Sequence, residues 1–97
     1  MPSSYAAVRT DAPARYAKQL ASHMSRRIDA TWDGSAGALP FPFGHCALRA
    51  EEGELILEAE APDEAELSRV EEVVGSHLER FGRKNELVVS WQRAQPG

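Results

Sequence analysis

Cysteine is nearly absent from this sequence, with Cys46 as the single example among 97 residues. One thiol cannot form a disulfide within the chain, and this is the pattern expected of a protein kept in a reducing compartment. Long apolar runs are also missing, because no stretch approaches the ~18–20 residues that span a bilayer. Residues 1–5 have neither the basic nor the apolar segment that directs secretion. These absences predict a cytoplasmic protein with no membrane partner.

An excess of positive charge is missing too, because the formal net charge is −4 at pH 7. Residues 1–50 carry six Lys/Arg and three Asp/Glu, whereas residues 51–97 carry five Lys/Arg and twelve Asp/Glu. A protein that binds nucleic acid irrespective of sequence needs a basic surface that displaces counterions. We therefore expect no nucleic-acid partner. The acidic second half is either a solvated face or an acidic docking surface.

The length of the chain limits what it can enclose. Ninety-seven residues predict a single domain over residues 1–97, since a domain usually takes roughly 100–200 residues. The ordered core is expected over residues 5–93. At this size only about 60–65% of the unfolded surface becomes buried. The core is therefore thin, and an enclosed ligand cavity is not expected.

Two segments have the apolar periodicity of helices. The first begins at a predicted N-cap, Asp11, with Pro13 in its first turn. Its apolar stripe recurs at spacings of three and four and comprises Ala17, Leu20, Met24 and Ile28. The second begins at Asp63, with Glu66 placed as in a capping box, and ends at Gly82. Its stripe comprises Leu67, Val70, Val74, Leu78 and Phe81.

A hairpin is the best-specified strand element. With Glu52 and Gly53 as its loop, three small or apolar pairs share one face. These pairs are Cys46 with Ala59, Leu48 with Leu57, and Ala50 with Leu55. Shorter strands are predicted at residues 5–9, 31–33 and 87–92.

Residues 39–43 alternate apolar side chains with Pro40 and Pro42. Proline has no N–H to donate to a neighbouring strand. This segment is therefore predicted to be either an edge strand or an extended arm.

The element order β-α-β-β-β-β-α-β predicts an α+β fold, with a two-layer, mostly antiparallel sheet of about five or six strands and two helices on one face. Six strands about 4.8 Å apart are wider than two helices of about 10 Å, so part of the sheet is uncovered. Ile56 and Val88 fall on the face away from the inferred core. We therefore predict a homodimer, formed by sheet faces or by the edge strand.

The C-terminal ends of the two predicted helices repeat each other, as SHMSR at residues 22–26 and SHLER at residues 76–80. His23 and His77 thus lie 54 positions apart (77 minus 23), each beside an apolar stripe. The repeat predicts two related halves whose helices share one sheet face, which would let the two imidazoles approach each other in equivalent environments.

Four further segments carry a family resemblance: RYAKQL with His23 (residues 15–23), GHCAL (44–48), HLERF (77–81), and Leu87 with Trp91. Together they resemble a bacterial family known as domain of unknown function 2218, over about residues 8–92. The resemblance implies a stand-alone bacterial cytoplasmic protein of no assigned activity, associated with genes for siderophore use and iron uptake. Residues 40–43 are not part of the family pattern.

The histidines and the cysteine are candidate metal ligands. His23 and His77 supply two nitrogens, while His45 and Cys46 supply a third nitrogen and a thiolate, a set that zinc or iron accepts. Alternatively, the histidines bond to backbone or carboxylate groups, and Cys46 is a small apolar core residue. The candidate ligands lie on three separate elements without a short-range pair. We therefore expect no cofactor, with zinc or iron as the alternative.

Other polar and aromatic residues are candidates for ligand or partner contact. Arg15, Lys18 and Gln19 form either a clamp for a carboxylate or phosphate, or a solvated helix face. Phe41 and Phe43, flanked by prolines, are candidates for contact with a partner protein or small molecule.

The sequence lacks a phosphate-binding glycine loop and a nucleophile motif. It therefore predicts a small non-catalytic cytoplasmic binding or accessory protein that acts through its uncovered sheet or edge strand. A transition-metal-binding module using His23, His77 and Cys46 is the alternative, and a small enzyme is the second alternative.

Overall fold

A computed structural model describes residues 2–82 and 87–93. The strands are β1 (Ser3–Arg9), β2 (Thr31–Trp32), β3 (Ala36–Phe41), β4 (Gly44–Glu51), β5 (Glu54–Glu60) and β6 (Gln92–Arg93). The helices are α1 (Pro13–Met24) and α2 (Glu64–Phe81). Along the chain they follow the predicted order β-α-β-β-β-β-α-β, so the predicted α+β class is confirmed. Neither described helix is long and apolar enough to cross a membrane.

The six strands form one open antiparallel sheet in the order β2-β3-β4-β5-β1-β6. The β4–β5 hairpin has the predicted register, with Cys46 opposite Ala59, Leu48 opposite Leu57, and Ala50 opposite Leu55. Its loop contains Gly53 at φ 77°, a backbone conformation that favours glycine. The apolar alternation of these two strands was therefore sufficient to predict their pairing.

Both helices pack on the same face of the sheet, as predicted, and share one apolar core with the inward side chains of the strands. The fully buried contributors include Leu20 from α1, Leu78 from α2 and Leu57 from β5. α2 begins as predicted, because the Asp63 carboxylate accepts a hydrogen bond from the Glu66 N–H at 2.8 Å. The helix layer thus rests on one continuous core.

The first helix departs from its prediction at both ends. Ala12 rather than Asp11 is the N-cap, and no side chain caps the helix. The Ala12 N–H instead donates to Thr10 Oγ1 at 3.1 Å. At the other end the helix stops at Met24, whose carbonyl accepts from the N–H groups of both Arg27 and Ile28. This turn places Ile28 beyond the helix and projects residues 26 and 27 beside its C-terminus.

The predictions for the outer strands are wrong in part. β2 occupies the sheet edge in place of β3, but it pairs only with Gly37 and Ala38. The Pro40 end of β3 therefore has no described strand on that side. The predicted last strand, residues 87–92, is reduced to Gln92 and Arg93, which pair with β1.

The sheet face away from the helices is less apolar than its sequence pattern indicates. Ile56 lies on this face but is only 2% exposed, with Ala7 and Arg49 as its cross-strand neighbours. Arg49 forms ion pairs with Glu51 and Glu58 across the same surface. Val88, the other residue that motivated the homodimer, is 67% exposed and lies outside the described strands. The homodimer stays a prediction.

Candidate functional site

The two repeated histidines meet where the C-terminal ends of α1 and α2 lie side by side. The ring centroids of His23 and His77 are 5.0 Å apart, with the ring planes tilted by 46°. Phe81 packs edge-on against both rings, with centroid distances of 5.6 Å to His23 and 6.3 Å to His77. The predicted approach of the imidazoles is confirmed.

The two histidine environments are similar in position but not in detail. His77 is half-buried, and its Nδ1 lies 2.6 Å from the carbonyl oxygen of Val73. A carbonyl only accepts hydrogen bonds, so Nδ1 carries the proton and the neutral ring keeps a lone pair on Nε2. His23 is exposed and has no described hydrogen bond of this kind. Equivalence of the two environments, as predicted from the repeat, is therefore only partial.

The electrostatic surroundings of His23 are positive. Partial desolvation of its ring lowers the pKa of His23 below the usual 6.5, and nearby positive charges lower it further. In decreasing order of effect, the neighbours that lower it are His77, Arg26, Arg80 and Arg27. At neutral pH the ring is therefore predominantly uncharged.

A half-open groove of about 420 Å³ runs from the histidine pair to the turn between β3 and β4. We call it the histidine groove; its lining residues are His23, Met24, Arg26, Arg27, Ile28, Phe41, Pro42, Phe43, Val73 and His77. Apolar and aromatic side chains therefore form most of the wall, and the charged groups come from the turn that follows α1. A groove of this size and composition is typical of sites for small organic ligands.

The aromatic wall of the groove is preassembled. Phe41 and Phe43 stack with ring centroids 5.1 Å apart and planes 18° from parallel. The guanidinium of Arg69 lies 4.2 Å from the centroid of Phe43, a cation–π contact from α2. Pro42 lies between the two rings in the sequence, in the turn that leads from β3 to β4. The proline-containing segment of residues 40–43 is therefore part of the groove.

The described arginines include some that form ion pairs and some that do not. Arg49, Arg69 and Arg93 each form an ion pair with a glutamate. Arg26 and Arg27 have no carboxylate partner among residues 2–82 and 87–93, and the same is true of Arg9, Arg15 and Arg80. Of these five unpaired arginines, Arg26 and Arg27 are the two that line the groove. Their guanidinium groups are exposed and available to an external anion.

The predicted four-residue metal set is not assembled. No group of three or more His, Cys, Asp or Glu side chains within the described residues is placed to hold a metal ion. Cys46 is fully buried in the core, and desolvation raises the pKa of its thiol to about 12. His45, the next residue along β4, is exposed on the opposite side of the sheet from the helices. Strand alternation therefore places His45 on the other side of the sheet from the histidine pair, while Cys46 is enclosed within the core.

The remaining predicted contacts fall in two places. Phe41 and Phe43 line the histidine groove. Arg15, Lys18 and Gln19 lie exposed on α1 and do not line it. As ligand contacts, these three residues stay a prediction.

The contribution of Arg26, Arg27 and Val73 to the groove was not predicted from the sequence. The one available signal was the position of the two arginines within four residues of His23. The turn after Met24, which brings them to the groove, has no glycine or proline to mark it.

Comparisons with known proteins agree with this fold. Residues 5–92 match a family described as an uncharacterized protein conserved in bacteria, DUF2218. The NMR structure of PA4090 from Pseudomonas aeruginosa is similar, with a TM-score of 0.80 and 29% sequence identity. The similarity covers 95% of this chain and 96% of that one. No curated protein matches the chain significantly. Because the family match extends over most of its length, the chain belongs to the DUF2218 family.

Proposed function

We propose that this member of the DUF2218 family is a small non-catalytic binding protein and that the histidine groove is its binding site. The observation that carries the proposal is the convergence of the His23–His77 pair and the stacked Phe41 and Phe43 on one groove of about 420 Å³. Such a groove offers apolar contact area together with a few polar groups that orient a ligand. The ligand is a small organic molecule with a flat apolar part.

The chemistry of the groove favours binding over catalysis. Its described lining residues include no thiol, hydroxyl or carboxylate side chain. Cys46, the strongest nucleophile by residue type, is buried in the core with a raised thiol pKa of about 12. A nucleophile activated by an adjacent base is the usual requirement for covalent catalysis. The two imidazoles are instead placed to donate and accept hydrogen bonds.

The test uses 2-naphthamide, an uncharged aromatic probe, in an NMR titration of the labelled protein. We expect chemical-shift changes concentrated at the residues of the groove, with a dissociation constant in the millimolar range or below. Phe43→Leu should weaken binding several-fold, because it removes one ring of the stacked wall but keeps an apolar side chain.

Tyr5→Leu is the matched control, since Tyr5 is an exposed aromatic residue on β1, outside the groove. It should leave the affinity unchanged. Shifts that cluster away from the groove, or an equal effect of the two substitutions, would contradict the proposal.

A metal-binding module is the second candidate, and one observation favours it. The imidazoles lie close together, and His77 holds Nε2 free by donating its Nδ1 proton to Val73. Two such nitrogens are able to bind zinc or ferrous iron if an external ligand completes the coordination. The surrounding arginines oppose a cation, so this candidate ranks second.

Calorimetry with zinc and with ferrous iron separates the two candidates. A metal module should bind with micromolar affinity, and His77→Gln should abolish the binding, whereas His45→Gln, on the exposed side of β4, should not. For the proposed organic-ligand protein we expect no stoichiometric binding at tens of micromolar protein.

The proposal also includes the cellular properties expected from the sequence and from the family resemblance: a cytoplasmic location, a homodimer, and a link to siderophore use or iron uptake. Light scattering over a range of protein concentrations tests the dimer directly. A constant monomer mass would remove that part of the proposal and leave the groove unaffected.

A further inference from the structure

The histidine groove has an uncompensated positive end, and this end indicates what its ligand carries. We infer that the ligand bears a carboxylate, held by the guanidinium groups of Arg26 and Arg27 beside His23, with its apolar part against Phe41 and Phe43. This inference rests on the proposed function, because it names the chemical class of the molecule that the same groove binds.

Some arginines of the protein form ion pairs with glutamates and others do not. Arg49, Arg69 and Arg93 are neutralised by glutamates at N–O distances of 2.9–3.3 Å. Within the described part of the chain, Arg26 and Arg27 have no such partner, and they are the two unpaired arginines that line the groove. A guanidinium binds a carboxylate through two parallel hydrogen bonds, which a point charge does not offer. The two arginines are thus available for an external carboxylate.

Arg26 and Arg27 lie at a defined position in the fold. They follow α1 in a turn whose backbone is held by hydrogen bonds from Ser25 to Ala21 (2.9 Å) and from Arg27 to Met24 (2.9 Å). The turn fixes where both side chains leave the backbone, at the rim of the groove. A site on an ordered turn loses less conformational entropy on binding than a site on a mobile loop.

The electrostatic field at the groove is positive. Arg80 contributes positive charge from α2, and Arg26 and Arg27 contribute it from the turn after α1. The aromatic wall of the groove, formed by Phe41, Pro42 and Phe43, contributes no charge. The positive charges that disfavour a proton on His23 also disfavour a metal cation and favour an anion. The groove is therefore matched to a negatively charged ligand.

A carboxylate in this position changes the protonation of His23. In the free protein the ring is uncharged at neutral pH, because its pKa lies below the usual value. A bound carboxylate offsets the neighbouring positive charges and raises that pKa again, so binding near pH 7 takes up a proton. Affinity should consequently increase as the pH falls from 8 to 6.

The test compares 2-naphthoate with 2-naphthamide, which have nearly the same shape but differ in charge. We expect 2-naphthoate to bind at least tenfold more tightly at pH 6.5. The double substitution Arg26→Gln/Arg27→Gln should reduce its affinity to that of the amide and leave the amide unaffected. Arg15→Gln is the matched control, because Arg15 is an exposed arginine of α1 outside the groove. Thermal unfolding of each variant checks that the fold is retained.

A second measurement tests whether ligand binding is accompanied by uptake of a proton at His23. Calorimetry of 2-naphthoate binding at pH 7 in phosphate and in Tris buffer should show proton uptake, and His23→Gln should abolish it. The naphthoate carboxyl group remains ionised between pH 6 and 8, so the titration belongs to the protein.

Each outcome discriminates between the inference and the function on which it rests. Equal binding of the two probes in the groove would overturn the carboxylate inference but leave the proposed function standing. Tight naphthoate binding that is insensitive to the arginine substitutions would overturn the assignment of these residues. Failure of both probes to bind at millimolar concentration would overturn the proposed function itself.

Discussion

The two helices place equivalent histidines, but they are built differently. α1 has 12 residues, with no side-chain cap and no acidic residue in its first turn. α2 has 18 residues, a capping Asp63, and both Glu64 and Glu66 in its first turn. Intrinsic stabilisation of the helix ends is therefore concentrated in α2.

What the helices share is the pattern of contact with the sheet. A shift of 54 positions superimposes four buried residues of α1 on four of α2, as it does His23 on His77. The pairs are Tyr16 with Val70, Leu20 with Val74, Ala21 with Gly75, and Met24 with Leu78. Packing positions, rather than helix ends, therefore fix where each imidazole lies.

The largest expected effects come from breaking this shared packing at one equivalent pair, Met24 and Leu78. Leu78→Ala should lower the free energy of unfolding by about 3–4 kcal/mol, because a fully buried leucine is replaced by a cavity. Met24→Ala, at the less completely buried end of α1, should cost about 2 kcal/mol. Urea unfolding monitored by circular dichroism measures both. Equal or reversed losses would contradict the view that α2 carries the tighter contact.

A smaller effect is expected at the helix starts, where the two helices differ. Asp63→Ala removes the bond to the Glu66 N–H and should destabilise the protein by about 1 kcal/mol. Asp11→Ala should be close to neutral, because Asp11 does not cap α1. The same urea experiment tests the pair, and a comparable loss in both variants would show that α1 has a cap of its own.

The smallest effect concerns the pH dependence of stability at the two histidine-bearing ends. The pKa of His23 is lowered in the folded protein, so the unfolded chain binds its proton more readily. His23 should therefore contribute a loss of stability as the pH falls through about 6.5. This loss should level off below the folded-state pKa. The effect is small because the ring is exposed and solvent screens its neighbours.

His23→Gln isolates that contribution. Between pH 7.5 and 5.5, the free energy of unfolding should decline less in this variant than in the wild-type protein. His45→Gln serves as the control, since His45 lies on the other face of the sheet and should not alter the difference. A steeper decline in His23→Gln would show that the positive surroundings of His23 are compensated in the folded state.

The parts of the fold that the sequence predicts best are those in which local and long-range signals agree. Three small or apolar pairs on one face of β4 and β5, with Gly53 at the loop, determine their register. Asp63, Glu66 and a regular apolar stripe determine α2. At the start of α1, by contrast, Asp11 is a suitable capping residue by type, but the chain uses Thr10 to accept the Ala12 N–H instead.

The site is less predictable because it depends on tertiary geometry. The repeat of His23 and His77 indicated that the imidazoles meet, and the structure confirms it. The place of Cys46 in the core followed from strand alternation, and its complete burial there leaves the thiol inaccessible to a ligand. The groove itself depends on a turn after Met24 and on the Phe41–Phe43 stack, and neither contact is encoded by spacing along one element.

The isolation of Cys46 has a practical consequence for measuring how often the protein opens. Its side chain has no accessible surface, and at a thiol pKa of about 12 almost none of it is thiolate at neutral pH. A reagent such as iodoacetamide can reach the sulfur only when β4 separates from its neighbours or the whole chain unfolds. Since Cys46 is the only thiol in the sequence, every alkylated molecule records one opening event. The rate at which Cys46 of the unaltered protein is alkylated, followed by mass spectrometry, therefore reports how often the core is exposed.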